Sequence, residues 1–140
     1  AINQAYYLKN TNQGCPKEVL TVSLNEQSTN IPYTLGRLFA FYEFAQDGAN
    51  PGINATIKDK YLNSAEAAPA HIFPILNKLY PKHLNKLNDK TAWFIDSEVM
   101  KLKSVLGEEY PVRLTLPEQG SFDLGYYHQK QWLYTKKEDR

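Results

Sequence analysis

The chain of 140 residues is 42% hydrophobic and 13% aromatic, enough for one cored domain and too apolar for a disordered chain. A formal net charge of +1 excludes a strongly basic nucleic-acid binder, but the charge is uneven: residues 51–103 hold eight lysines against five acids, and each flank sits at minus one. No apolar run approaches the roughly 18 residues of a membrane span, no signal-peptide pattern opens the sequence, and the one cysteine, Cys15, rules out an internal disulfide and points to a reducing compartment.

Residues 1–31 read as an irregular N-terminal segment. Within it, residues 1–9 resemble the tail of a helix and residues 10–16 a loop. Residues 18–24 alternate partly, with Val19, Leu20, Val22 and Leu24 apolar. With no partner strand in evidence, an extended linker is the better reading. Ser28, Thr29 and Asn30 offer helix caps, and Pro32 suits a first turn. Leu35, Leu38, Phe39, Tyr42 and Ala45 then recur at three- and four-residue steps, predicting a helix over 32–47. Phe41 and Phe44 widen its apolar stripe, which makes it central. Gly36 weakens such a helix by about 1 kcal/mol unless another helix packs closely against it.

The next segment punctuates the chain. Gly48 is suited to close the first helix in a left-handed conformation. Asn50 is pushed out of the helical region by Pro51, and Gly52 gives a turn its freedom. Asn54 can cap a second helix over 54–66, with Lys58 and Lys60 just inside it. A third helix starts near Pro69 and carries Ile72, Phe73, Ile75, Leu76, Leu79, Leu84 and Leu87. Pro74 falls early enough to be tolerated, whereas Pro81 is expected to kink or divide it. A fourth covers 90–106 and stops at Gly107. A fifth starts at Thr115-Leu116-Pro117-Glu118, which has capping-box spacing, and continues to about 136 with Phe122, Tyr126, Gln129, Trp132 and Leu133 on one broad face. The expected fold is all-α: a single bundle of about five helices, with its helical core over 32–140.

Few residues point to chemistry. Lys78, Lys82, Lys86 and Lys90 are spaced by four, so on one unbroken helix they make a basic ridge that a polyanion can relieve. His83 lies beside it, and Pro81 and Asp89 weaken it. A plain solvated face explains the same spacing. Lys58 and Lys60 do not share a helix face; Lys58, four residues after Asn54, is the better phosphate candidate, although the segment around it also fits an ordinary helix corner. Arg37 is expected on the polar side of the first helix, either bound to phosphate or paired with Glu43. Tyr126 is expected in the core. Tyr127 and Lys130, three apart, form the better surface pair for stacking on and holding unpaired nucleotides. Lys136, Lys137 and Arg140, diluted by Glu138 and Asp139, read as a fraying end. Catalysis finds no motif. His71, His83 and His128 lack metal-ligand spacing, Cys15 has no activating neighbours, and Asp96 and Glu98 point apart toward solvent. No enzyme activity, metal or cofactor is expected.

Three blocks carry a family resemblance: KEVLTVSLNEQSTNIPYTLGRLFAFYE (17–43), DGANPGINATIKDKYLNSAEAAPAHIFP (47–74) and LPEQGSFDLGYYHQKQWLYTKKE (116–138). In this order they resemble the C-terminal region of the large subunit of the type I-C CRISPR surveillance complex, Cascade. Residues 88–111 are the least diagnostic part. In that family the same region is also translated from an internal start as a separate small subunit, which the length and start of this chain suit. An excised C-terminal domain has the same appearance. The resemblance implies a bacterial cytoplasmic, noncatalytic antiviral-defence protein. Its implied partners are the large subunit, the backbone subunits and neighbouring copies of itself. There it would hold the opened DNA of the crRNA-guided R-loop, above all the displaced non-target strand. Arg37, Asn50, Asn54, Lys58, Lys60, Lys78, Lys82 and Lys86, then Tyr127 and Lys130, are the expected nucleic-acid contacts. The alternative is a purely architectural module that bridges Cascade subunits.

Overall fold

The computed structural model describes residues 24–139, with side chains through residue 135. Expectations for residues 1–23, among them Cys15 and the 18–24 linker, and for the Lys136, Lys137 and Arg140 side chains lie outside that range. Five helices follow in order: α1 (Ile31–Ala49), α2 (Ile57–Ala67), α3 (Pro69–Leu84), α4 (Asp89–Leu106) and α5 (Leu116–Asp139). Among the described residues there is no strand, and the all-α bundle is as expected. No described helix is long and apolar enough to cross a membrane.

Short polar side chains start four of the helices. Asn30 accepts from the Tyr33 N–H at 2.9 Å with Pro32 in the first turn, and Asn88 accepts from the Thr91 N–H at 2.8 Å. At α5 the predicted box closes both ways: Glu118 accepts from the Thr115 N–H at 2.7 Å, and Thr115 Oγ1 accepts from the Glu118 N–H at 3.3 Å. Gly107, at φ 79°, ends α4. Helix α2 begins three residues later than expected because Thr56, not Asn54, caps it by accepting from the Asp59 N–H. Only Ala68 separates α2 from α3. That corner is tied to the α4–α5 connection, with the Ala70 N–H donating to the Pro111 carbonyl and the Leu114 N–H to the Ala67 carbonyl.

Two further local expectations fail for tertiary reasons. Gly48 is not a left-handed cap; it lies inside α1, and Asn50 follows as the C-cap with its N–H on the Gln46 carbonyl. A methyl group on Gly48 would press on Leu87 Cδ2 at 2.9 Å, so the glycine provides room rather than a turn. The turn freedom belongs to Gly52, at φ 78°. Pro81 does not divide α3, since it sits in the last turn, where losing one donor disturbs little of the ladder.

Helix α1 is the centre. It is apolar nearly all round, with Leu35, Leu38, Phe39, Ala40, Phe41, Tyr42, Phe44 and Ala45 all buried, and it packs against each of the other four helices. Its most extensive partner is α5. Their backbones approach so closely that a methyl on Gly36 would strike the Phe122 carbonyl oxygen, and one on Gly125 the Tyr33 carbonyl oxygen. The expected close packing at Gly36 is therefore present, with a reciprocal glycine on α5. Phe39 packs edge-on to Phe122 and Tyr126 just below this crossing, at 6.3 and 5.7 Å between ring centres.

Candidate nucleic-acid interface

The last turn of α1 ties three other elements together. Gln46 is buried, and its side-chain carbonyl accepts from the N–H of Ile57, the first residue of α2, at 2.9 Å. Asp47 accepts from the Tyr134 hydroxyl of α5 at 3.2 Å. Asn50 accepts from Lys86 Nζ at 3.2 Å, in the turn after α3. This end of the bundle therefore collects Asn50 and Lys86, the first turn of α2 with Lys58 and Lys60, and the end of α3 with Lys82. Lys60, Lys78, Lys82 and Lys86 are exposed and Lys58 is half-buried. Lys78 lies one turn back from Lys82 on the same face of α3. Burial first, then the charges of Lys86 and Lys82, pushes the His83 imidazole below its ordinary pKa. Lys82 and Lys86 thus both act on this one imidazole. Asp59 and Asp89 are the exposed acids that dilute the lysines, while Asp47 is engaged by Tyr134.

The four-lysine ridge is not continuous. Helix α3 ends at Leu84, so Lys78 and Lys82 stand on it, Lys86 lies in the connecting turn, and Lys90 opens α4. Asn54 is exposed in the α1–α2 connection and caps nothing. Arg37 is not on a polar side, because α1 has none: it is 5% exposed, and its Nε donates to Gln129 Oε1 at 2.8 Å, inside the α1–α5 interface. Desolvation is the main cause holding its pKa below the usual range, only partly opposed by Tyr33, Glu26 and Glu98. In this fold Arg37 joins two helices and presents no charge outward. Glu43, its other suggested partner, instead accepts from the Tyr126 hydroxyl at 2.6 Å and from Lys130 Nζ at 3.4 Å. Lys130 also lies 5.3 Å from the centre of the buried Tyr126 ring, so its charge is drawn to Glu43 and that ring, and it is not an outward partner of Tyr127. Tyr127 itself is 55% exposed. Asp96 and Glu98 are not simply solvated either: Asp96 accepts from the Tyr80 hydroxyl at 2.8 Å and Glu98 pairs with Lys101 at 3.0 Å.

One surface group escaped the sequence reading. Trp93, on α4, is 73% exposed. With Asn88, Lys90, Thr91 and Phe94 it lines an open hollow of about 410 Å³. Phe94 stacks on Trp132 behind it, with ring centres 6.1 Å apart. The signal was in the spacing. Ile95, Val99, Leu102 and Leu106 make the buried stripe of α4, and Trp93 and Met100, seven apart, both lie off it.

A family model described as CRISPR-associated protein (Cas_Csd1) matches residues 1–134, nearly the whole chain. The chain belongs to this CRISPR-associated Csd1 family. No curated protein matches it. The surface of this Csd1-family chain presents exposed ammonium groups, one of them bonded to the Asn50 amide, and an exposed indole on α4; ammonium groups are the kind that can meet a phosphate backbone without regard to sequence. Among the described residues of this family member, no cluster of three His, Cys, Asp or Glu side chains could hold a metal.

Proposed function

We propose that this chain is the small subunit of a type I-C Cascade and that it stabilises the R-loop by sequence-independent contacts to DNA, the displaced non-target strand in particular. The carrying observation is the lysine-rich end of the bundle, where the last turn of α1 holds the start of α2, which carries Lys58 and Lys60, through Gln46, and holds Lys86, four residues after Lys82, through Asn50. Lys78 extends the patch along α3. Guide–target pairing supplies sequence recognition, and the exchange of one duplex for another is nearly balanced. A few phosphate contacts can therefore tip it, with strong dependence on salt. The chain does no chemistry in this reading. It works in the bacterial cytoplasm beside the large subunit, the backbone subunits and neighbouring copies of itself.

A purely architectural role is the second reading, and exposed Met100, Val112 and Leu116 favour it as contacts for protein neighbours. The experiment measures DNA opening by Cascade lacking this chain, then with it restored, then with a K58A/K78A/K82A/K86A variant. Circular dichroism and pull-down establish that the variant folds and incorporates. The proposal expects an incorporated variant that fails to restore opening. Full restoration would leave the lysines as a solvated surface and the chain as scaffold.

A further inference from the structure

The hollow beside Trp93 combines features that a helix surface has no structural need for. A tryptophan is among the most costly side chains to leave in water, and this one is 73% exposed. Lys90, three residues earlier, lies on the same face of α4 and lines the same hollow, whose lining also includes Thr91 and the cap residue Asn88. The back of the hollow is the Phe94 ring, held by stacking on Trp132. Asp89, four residues before Trp93, is an exposed acid, set in the sequence against the exposed Lys86 and Lys90. The balance is positive. Lys86, bonded to Asn50, begins the eight-residue run that ends at Trp93, so the hollow continues the lysine-rich end described above.

We propose that Trp93 is a stacking platform for an unpaired base of the displaced strand, with Lys90 meeting the adjoining phosphate. This rests on the DNA-holding reading and adds to it the residue that distinguishes single-stranded from duplex DNA. Lysines bind any phosphate backbone, whereas an exposed indole is rewarded only by a base free of its partner. A protein partner is the competing occupant. Such a partner would cover Trp93 and Met100 together, since the two project from one face of α4, while a nucleotide at the hollow engages Trp93 alone.

The test titrates the full chain into fluorescein-labelled oligothymidylate and reads anisotropy at low salt. Trp93→Ala is expected to weaken binding about 5- to 150-fold, Trp93→Phe to stay within about threefold, and Met100→Ala to bind like the parent. A K82A/K86A variant is expected to weaken binding and to lower the salt slope by about 1.4. If Trp93→Ala binds like the parent while K82A/K86A does not, stacking is overturned and the DNA reading stands. If Trp93→Ala and Met100→Ala both lose incorporation into Cascade while oligothymidylate affinity is unchanged, the face belongs to a protein. A Phe variant as weak as the Ala variant, with unchanged circular dichroism, overturns ring stacking. A parent chain that binds no oligothymidylate overturns both readings.

Discussion

The crossing of α1 and α5 turns a single methyl group into a test of sign. By helix propensity alone, Gly36→Ala stabilises α1 by about 1 kcal/mol. The structure demands the opposite, because the new methyl would meet the Phe122 carbonyl oxygen and the Tyr126 backbone nitrogen, the latter at 2.7 Å. Both neighbours are backbone, so no rotamer change makes room and α5 itself must move. Moving it opens the edge-on packing of Phe39 on Phe122 and Tyr126. Overpacking of this kind costs about 1–3 kcal/mol or more and outweighs the propensity gain, leaving a net loss of about 2 kcal/mol. In urea this lowers the unfolding midpoint by roughly 1 M. Gly120→Ala, on α5 with nothing within 4 Å of the added methyl, is the matched control and is expected to raise the midpoint slightly. The Gly36→Ala/Gly125→Ala pair is expected to cost less than the sum of its parts, because one outward shift of α5 relieves both clashes. A Gly36→Ala midpoint that rises with Gly120→Ala would refute the close crossing.

Two other predictions concern buried or partly buried charge. Burial, then the hydrogen bond and charge of Asp123, pushes the Glu66 carboxyl from 4.5 up to about 7. A raised carboxyl pKa contributes stability that is complete below about 4.5 and is lost as pH rises through about 7. Solvent screening reduces the ideal value of about 3 kcal/mol to about 1 kcal/mol. Thermal melts should therefore show Tm falling between pH 5 and pH 8, and Glu66→Gln, which still donates to Asp123 but cannot ionise, should flatten that slope. Gln129→Ala removes the acceptor from the buried Arg37 Nε and is expected to cost about 2–4 kcal/mol in urea unfolding. The double Arg37→Met/Gln129→Leu variant should recover most of that loss and leave DNA affinity unchanged, as an inward-facing Arg37 requires.

The elements were legible where their signals are local. Asn30 and Pro32 mark the start of α1, the Thr115–Glu118 box starts α5 and Gly107 stops α4, and each acts within one turn of its own residue. The errors share the opposite property. Arg37 is decided by Gln129, 92 residues away, and Gly48 by Leu87 across a helix junction. Arg37 could have been placed from sequence, since Phe41 and Phe44 already left α1 no polar face to carry it. The candidate site was half visible. Its lysines stood out by spacing, but the Asn50–Lys86 bond that joins α1 to the turn after α3 spans 36 residues and has no local signature. Trp93 was missed because its segment resembled nothing diagnostic and because an off-stripe position carries meaning only once burial is known.

The position of α1 has a consequence for biogenesis. The helix with apolar groups on every side is the first described helix to be synthesised, and its most extensive partner, α5, is the last. About 90 residues separate the end of α1 from the end of α5, which at cellular elongation rates is roughly 5–18 s during which the greasiest described helix has no complete shelter. Nascent chains stalled before residue 116 should therefore recruit chaperones or aggregate, whereas chains that include α5 can bury α1 as soon as that helix clears the ribosome.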